Sequence, residues 1–214
     1  MKPPFLSFLS LFLFVPAALV LSQPRDLDPN AHPLEKATFA GGCFWCMEPP
    51  FDKLKGVVST TSGYTGGSQA DPDYKEVSSG ETGHCEAVEV LFDPSQVSYS
   101  QLLDVFWRNI DPTAVNRQFN DVGTQYRTAV FYHSEEQKRL AEASKAELGK
   151  SGRYNGKPIE TEITPASAFY KAEEYHQDYY KKKPLPYKYY RFASGRDQYL
   201  KKIWKNDDSK KQDQ

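Results

Sequence analysis

An α+β fold, a two-layer sandwich built on a mixed sheet, is what this sequence predicts, and three observations predict it. Candidate strands and helices follow one another as β-α-β-α-β-α-β-α-β-α. Several strands alternate polar and apolar residues, as half-exposed antiparallel strands do, so a doubly wound parallel sheet fits less well. Two helices open on Ser-x-x-Gln capping signatures, at Ser98 with Gln101 and at Ser134 with Gln137, which marks their starts.

The elements follow in order. Lys36 to Ala40 is a short strand. The helix after Cys43 meets Pro49-Pro50, and proline removes a donor and crowds the preceding turn, so a break there is expected. Val57 to Thr61 is a β-branched strand, and Gly63-Tyr64-Thr65-Gly66-Gly67 is a loop by composition. Asp71-Pro72-Asp73-Tyr74 turns into a short helix reaching Val77. From His84 to Phe92 the chain alternates, with His84, Glu86, Val88, Val90 and Phe92 on one face and Cys85, Ala87, Glu89 and Leu91 on the other. Leu102, Leu103, Phe106, Trp107 and Ile110 recur at helical spacing. A polar connection runs from Asp111 to Gly123, then a strand from Tyr126 to Tyr132 and a helix from Ser134 to Leu148. Pro158 to Thr164 is a strand, Phe169 to Tyr180 a helix, and Tyr187 to Trp204 an aromatic, partly ordered segment.

The chain has 214 residues, enough for one well-cored domain. A net charge of −1 gives no electrostatic case for nucleic acid. Three cysteines are too few for a disulfide scaffold, and the odd number leaves at least one free. At the amino terminus Lys2 precedes an apolar run from Phe5 to Leu21, ending in Val20-Leu21-Ser22. Residues 1–22 are expected to be a signal peptide, cleaved before Gln23, which makes the protein secreted or periplasmic with no stable membrane association. The alternative is an uncleaved anchor, although a run of about 17 residues is at the lower edge for spanning a bilayer. Residues 23–35 read as a linker, 36–205 as the catalytic domain, and 206–214 as a polar, disordered tail.

Chemistry concentrates at Gly41-Gly42-Cys43-Phe44-Trp45-Cys46. A strand running into a helix here puts Cys43 at a helix N-terminus, where free N–H groups and the dipole favour a thiolate nucleophile. Phe44 and Trp45 could wall an apolar pocket beside the sulfur. The spacing equally suits a buried disulfide or half a zinc site. A Cys₂His₂ set of Cys43, Cys46, His84 and His176 lacks the paired histidine spacing of zinc sites, so no metal is expected. Glu86 opens an otherwise apolar strand face; burial there would raise its pKa and make it a general acid, although an ordinary edge glutamate is the plainer reading. Asn120 to Arg127 is a polar loop of the kind that binds ligands and also of the kind that merely connects. Glu173 to Tyr179 reads as a solvated helix face.

Five stretches taken together say more than each alone. Gly42-Cys43-Phe44-Trp45, Gly63 to Gly67, Gly83-His84-x-Glu86-Ala87-Val88, Gly123-Thr124-Gln125-Tyr126-Arg127 and Glu174-x-His176-Gln177 occur in this order. From Lys36 to about Trp204 the chain resembles the peptide methionine-S-sulfoxide reductases of the A class. The resemblance implies an α+β sandwich of the ferredoxin-like plait type and the repair of oxidised methionine, free or in proteins, without a cofactor. It implies Cys43 as nucleophile, Phe44 and Trp45 as the methyl pocket, Glu86 as proton donor, Tyr74 and Tyr126 as hydrogen-bond donors to the sulfoxide oxygen, and Asp121 in the same pocket. It implies a thioredoxin-type dithiol as reductant, oxidised proteins or peptides as substrates, and a monomer. No cysteine follows Cys85, whereas many relatives carry a resolving cysteine in the C-terminal tail. Cys46, three residues from Cys43 on one helical turn, is expected to resolve the sulfenic acid, with Cys85 as the alternative, which strand alternation turns away from the pocket if Glu86 faces it. Two rivals remain open, a general thiol–disulfide oxidoreductase and a non-enzymatic module that binds oxidised proteins.

Overall fold

The structure, a computed structural model, describes residues 32–212, and they belong to one compact unit. The signal-peptide reading of residues 1–22 and most of the 23–35 linker lie outside the described residues. In chain order the elements are β1 (Glu35–Gly41), α1 (Phe44–Asp52), β2 (Val57–Thr65), α2 (Tyr74–Ser79), β3 (Cys85–Phe92) and α3 (Tyr99–Trp107). They continue with β4 (Arg117–Gln118), β5 (Asp121–Val122), β6 (Thr128–Tyr132), α4 (Glu135–Lys150), β7 (Glu162–Pro165), β8 (Tyr170–Lys171), α5 (Tyr179–Lys182), α6 (Pro184–Ala193) and α7 (Arg196–Gln212).

The main sheet runs β7-β6-β1-β3-β2-β8. Its centre, β6-β1-β3-β2, is antiparallel throughout, with Phe39 opposite Val88 and Ala40 opposite Ala129. Together with α1 and α3 this is the β-α-β-β-α-β plait. At one edge β7 joins β6 in parallel and at the other β8 joins β2 antiparallel, so the sheet is mixed, as expected.

Side-chain alternation gives the sheet two cores. Phe39, Val88, Val90 and Phe92 meet α1 and α3 in the larger one, where Phe39 stacks at 5.1 Å on both Phe51 and Phe106. Burying each such ring contributes about 1.5–3 kcal/mol. On the opposite face Ala40, Cys85, Ala87, Ala129 and Phe131 form a small second core beneath Phe169. Both expected capping boxes exist in part or whole: Ser98 exchanges bonds with Gln101, and Ser134 accepts from the Gln137 amide.

Several expectations need correction. The helix α1 does not break at the prolines; Pro49 and Pro50 lie inside it. Pro50 cannot donate to the Cys46 carbonyl four residues back, and Arg191 Nη1 takes that carbonyl instead at 3.2 Å. The stretch Gly63 to Thr65 is strand, not loop. Gly63 is glycine there because β8 lies so close that a Cβ would strike the Phe169 ring and the Tyr170 carbonyl. The expected helix from Phe169 to Tyr180 is β8 followed by turns, with helix only from Tyr179 to Lys182. Its backbone partners are distant: the Ala172 amide donates to the Ser62 carbonyl, and the Gln177 side chain bonds both the amide and the carbonyl of Ser62 at 2.9 Å. The sixth strand starts at Thr128, after a single 3₁₀ turn from Thr124 to Tyr126, and β7 spans only Glu162–Pro165. The aromatic segment from Tyr187 onward is helical, and α7 carries the polar tail on to Gln212 in place of disorder.

Candidate active site

The turn between β1 and α1 presents Cys43. Gly42 sits at φ +78°, a conformation open to glycine, and a Cβ there would collide with Gln118. Cys43 is the N-cap of α1, and the first helical amide, that of Phe44, donates to Glu86 Oε2 at 3.0 Å. Glu86 reaches it because β3 points Glu86 toward the helices and Cys85 to the other core.

Around these two groups lies a cavity of about 60 Å³ lined by Cys43, Phe44, Trp45, Tyr74, Glu86, Asp121, Tyr126 and Tyr190. All of these except Tyr190 stand out in the sequence as site residues. Tyr74 is the first residue of α2, fixed by the Asp73–Glu76 capping box and by its own amide on Glu173 Oε1 at 2.8 Å. Tyr126 ends the 3₁₀ turn, which is held to the end of α2 by Thr124 on the Gly80 carbonyl and Gln125 on the Ser78 carbonyl. Asp121 comes from the β4–β5 hairpin and accepts a hydrogen bond from Tyr190. Cys46 lies one helical turn below Cys43, buried, with its amide donating to the Cys43 carbonyl at 3.0 Å, and the two thiols influence each other's protonation. Cys85 is buried in the second core with its thiol donating to the Thr65 carbonyl, and burial pushes it up to about 12.

The electrostatics divide the pair. Burial raises the Cys43 thiol well above its ordinary range, reinforced by Cys46 and the nearby Glu86. Burial thus opposes the thiolate expected of Cys43. Cys46 is lowered to about 7 by the Cys43 thiol, with Arg196 and Arg191 assisting. Burial raises Glu86 to about 8, so it keeps its proton at neutral pH. Tyr74 is pushed by burial to about 12, and Tyr126 and Tyr190 are raised by burial as well; all three remain O–H donors.

Three partners of the site escape a reading of the sequence. Tyr190 sits edge-on to Trp45, with ring centroids 5.7 Å apart, hydrogen-bonds Asp121 and lines the cavity beside Cys43. The stretch Glu173 to Tyr179 is not a solvated face: His176 is buried and accepts the Trp45 indole N–H at 3.0 Å, while Glu173 holds Tyr64 and Tyr74. Arg196 is buried behind the Cys43 turn, its Nη2 on the Gly41 carbonyl at 3.0 Å. The aromatic density from Tyr187 to Trp204 is the signal for Tyr190, and Glu174-x-His176-Gln177, one of the five stretches that carry the resemblance, is the signal for His176; nothing local signals Arg196. His84 and His176 serve different places, His84 accepting the Gly67 amide and His176 the Trp45 indole.

Reactive sulfur next to a carboxyl that keeps its proton is the equipment of acid-assisted redox chemistry, and the fold that carries it defines a thiol-dependent oxidoreductase. Residues 35–208 match the family model described as peptide methionine sulfoxide reductase. The peptide methionine sulfoxide reductase MsrA of Listeria innocua is 55% identical over 172 residues, covering 80% of this chain and 97% of that protein. That of Bacillus licheniformis is 54% identical over 170 residues, covering 79% and 93%. Among solved structures, reduced Mxr1 from Saccharomyces cerevisiae superposes with a TM-score of 0.67 at 35% identity, covering 71% of this chain and 87% of that one. Methionine sulfoxide reductase A of Corynebacterium diphtheriae gives 0.63 at 35% identity, covering 71% and 76%. The chain belongs to the peptide methionine sulfoxide reductase family and is an oxidoreductase.

Proposed function

We propose that this protein reduces the S epimer of methionine sulfoxide, free or in polypeptides, and that Cys43 performs the reduction. The observation that carries this reading is a side-chain-sized cavity in which a thiol meets a protonated carboxyl and phenolic donors. The sulfoxide methyl lies against Phe44 and Trp45. Its oxygen takes hydrogen bonds from Tyr74 and Tyr126 and a proton from Glu86, which offsets the charge that develops there. Cys43 attacks the sulfur, its own proton passing to Cys46. The oxygen transfers to Cys43, leaving a sulfenic acid and releasing methionine. Asp121, held by Tyr190, orients the pocket.

Cys46 then attacks the Cys43 sulfur. The S–S bond forms, the S–O bond breaks, and the hydroxide leaves as water. A thioredoxin-like dithiol restores both thiols by exchange. Cys85 takes no part, because it points into the other core. Mass spectrometry after one turnover without reductant tests the sequence of steps: one equivalent of methionine and a Cys43–Cys46 disulfide are expected. Consumption of the R epimer, or reduction of an insulin-type disulfide with no methionine formed, defeats the reading.

We also propose that residues 1–22 are an export signal. The intact mass of protein from its native host should place the mature N-terminus near Gln23; a retained Met1 argues for an anchor instead.

A further inference from the structure

Glu48 is a buried carboxyl for which the reaction described above has no use. It is 1% exposed, its Oε1 accepts the Asp178 amide at 3.0 Å, and its Oε2 has no hydrogen-bond partner among the described residues. Burying a carboxyl costs stability, the more so when one oxygen is left unbonded. What the carboxyl secures at that cost is the backbone of Asp178.

Asp178 sits at φ +54°, a left-handed conformation uncommon outside glycine, and its own side chain does not cap α5. Such a conformation persists where neighbours fix it. Here the neighbours come from α1, where Trp45, Glu48 and Asp52, spaced i, i+3 and i+7, share one face. Glu48 takes the Asp178 amide. Asp52 accepts the Tyr180 hydroxyl at 2.7 Å, and Lys181 Nζ bridges the Asp52 and Asp178 carboxylates at 3.0 and 2.7 Å. The residue enclosed by these bonds is Tyr179. Its ring lies flat on the Trp45 indole, with centroids 3.9 Å apart and planes 9° from parallel. The same segment supplies His176, whose Nδ1 accepts the indole N–H at 3.0 Å. Trp45 is thus held by two residues of one segment, and Glu48 ties that segment down at Asp178, between them in the chain.

We propose that Glu48 is a positioning residue that sets specificity: through Asp178 and Tyr179 it holds the Trp45 indole where a methyl group fits and a larger alkyl group does not. The proposal rests on the reading that Phe44 and Trp45 receive the methyl of a sulfoxide. Trp45 lines a cavity of about 60 Å³, so a displaced indole changes which alkyl group the cavity admits. An apolar side chain at position 48 would fill the space but offer nothing to the Asp178 amide.

The test compares methionine sulfoxide with ethionine sulfoxide, which carries an S-ethyl in place of the S-methyl, on the full chain with dithiothreitol as reductant. One methylene against a fixed wall is worth about tenfold or more in kcat/KM, and the parent should favour the methyl substrate by that much. Glu48→Leu should cut the preference to about threefold or less, chiefly by raising KM for methionine sulfoxide. Glu48→Gln, whose amide oxygen still accepts from Asp178, should keep the parent's preference. Tyr179→Leu should lose it as Glu48→Leu does, and the double variant should lose no more than either, because both act on one wall. A preference is a ratio read on one sample, so partial unfolding lowers both rates alike and leaves it unmoved. Glu48→Ala carries the same expectation and replaces Glu48→Leu if that variant does not fold. An unchanged preference in the folded variants overturns the proposal, and so does a loss in Glu48→Gln as large as in Glu48→Leu. A parent that reduces methionine sulfoxide without preferring it over the ethyl compound overturns the proposal alone; a parent that reduces neither defeats the reading of the function as well.

Discussion

In the proposed reaction Cys43 and Glu86 act together at the level of single protons, the sulfur attacking as the substrate oxygen is protonated. Cys43→Ser should abolish methionine formation and leave the circular dichroism spectrum and unfolding midpoint close to the parent's. Glu86→Gln should slow single-turnover methionine formation by about 10²–10⁴-fold, the range for losing a general acid. With Glu86 at about 8, activity in the parent should decline as pH rises through that value and the acid loses its proton. Stability follows the same sign. A carboxyl whose folded pKa exceeds its unfolded one binds its proton more tightly when folded, so its contribution is complete below the unfolded value and is lost as pH rises to the folded one. Glu86 therefore costs stability between about pH 4.5 and 8, and denaturant midpoints of Glu86→Gln should fall less over that window than the parent's. At this scale the sequence is informative: Cys43, Phe44 and Trp45 are legible from the Cys-x-x-Cys turn and Glu86 from strand alternation, whereas Tyr74, Tyr126 and Asp121 come only from the family resemblance. Their protonation is only half legible, since burial of Cys43 is a property of the packed site.

Among elements, the legible ones are those whose hydrogen bonds are local. Ser98 and Gln101 satisfy each other within one turn, so α3 can be placed by eye. The segment after Phe169 defeats a local reading because its bonds run to Ser62 across more than a hundred residues, and no window around Gln177 contains that information. Gly63 misleads for the same reason: it looks like a loop glycine but marks where β8 presses on β2. Gly63→Ala should cost about 1–3 kcal/mol in urea unfolding, as overpacking does, and should raise KM for a methionine sulfoxide peptide by displacing the Glu173 and His176 supports. A normal KM with normal stability would show that β8 can shift without disturbing the pocket.

The whole molecule separates its three sulfurs by the sheet. Cys43 caps α1 and Cys46 lies within it, whereas Cys85 is packed in the second core on the opposite face of the sheet. Cys85→Ser should keep steady-state turnover within about twofold, the loss limited to packing. Cys46→Ser should still yield one equivalent of methionine, then stall with a persistent sulfenic acid and no recycling by a dithiol. Normal recycling in Cys46→Ser would transfer the resolving role to Cys85.

Pro49 and Pro50 leave the carbonyls of Trp45 and Cys46 without their customary helical donors, and an arginine from another helix takes one of them. The first turn of α1 is thereby spliced to the rest of its helix by side chains more than by its own backbone ladder. In the proposed Cys43–Cys46 disulfide the turn tightens, and little of that twist has a route into Phe51 and the aromatic stack beneath it. The enzyme can then be oxidised and reset many times while its core feels no mechanical load, and amide exchange in β1 and β3 should be the same in both redox forms while that of Trp45 to Met47 differs.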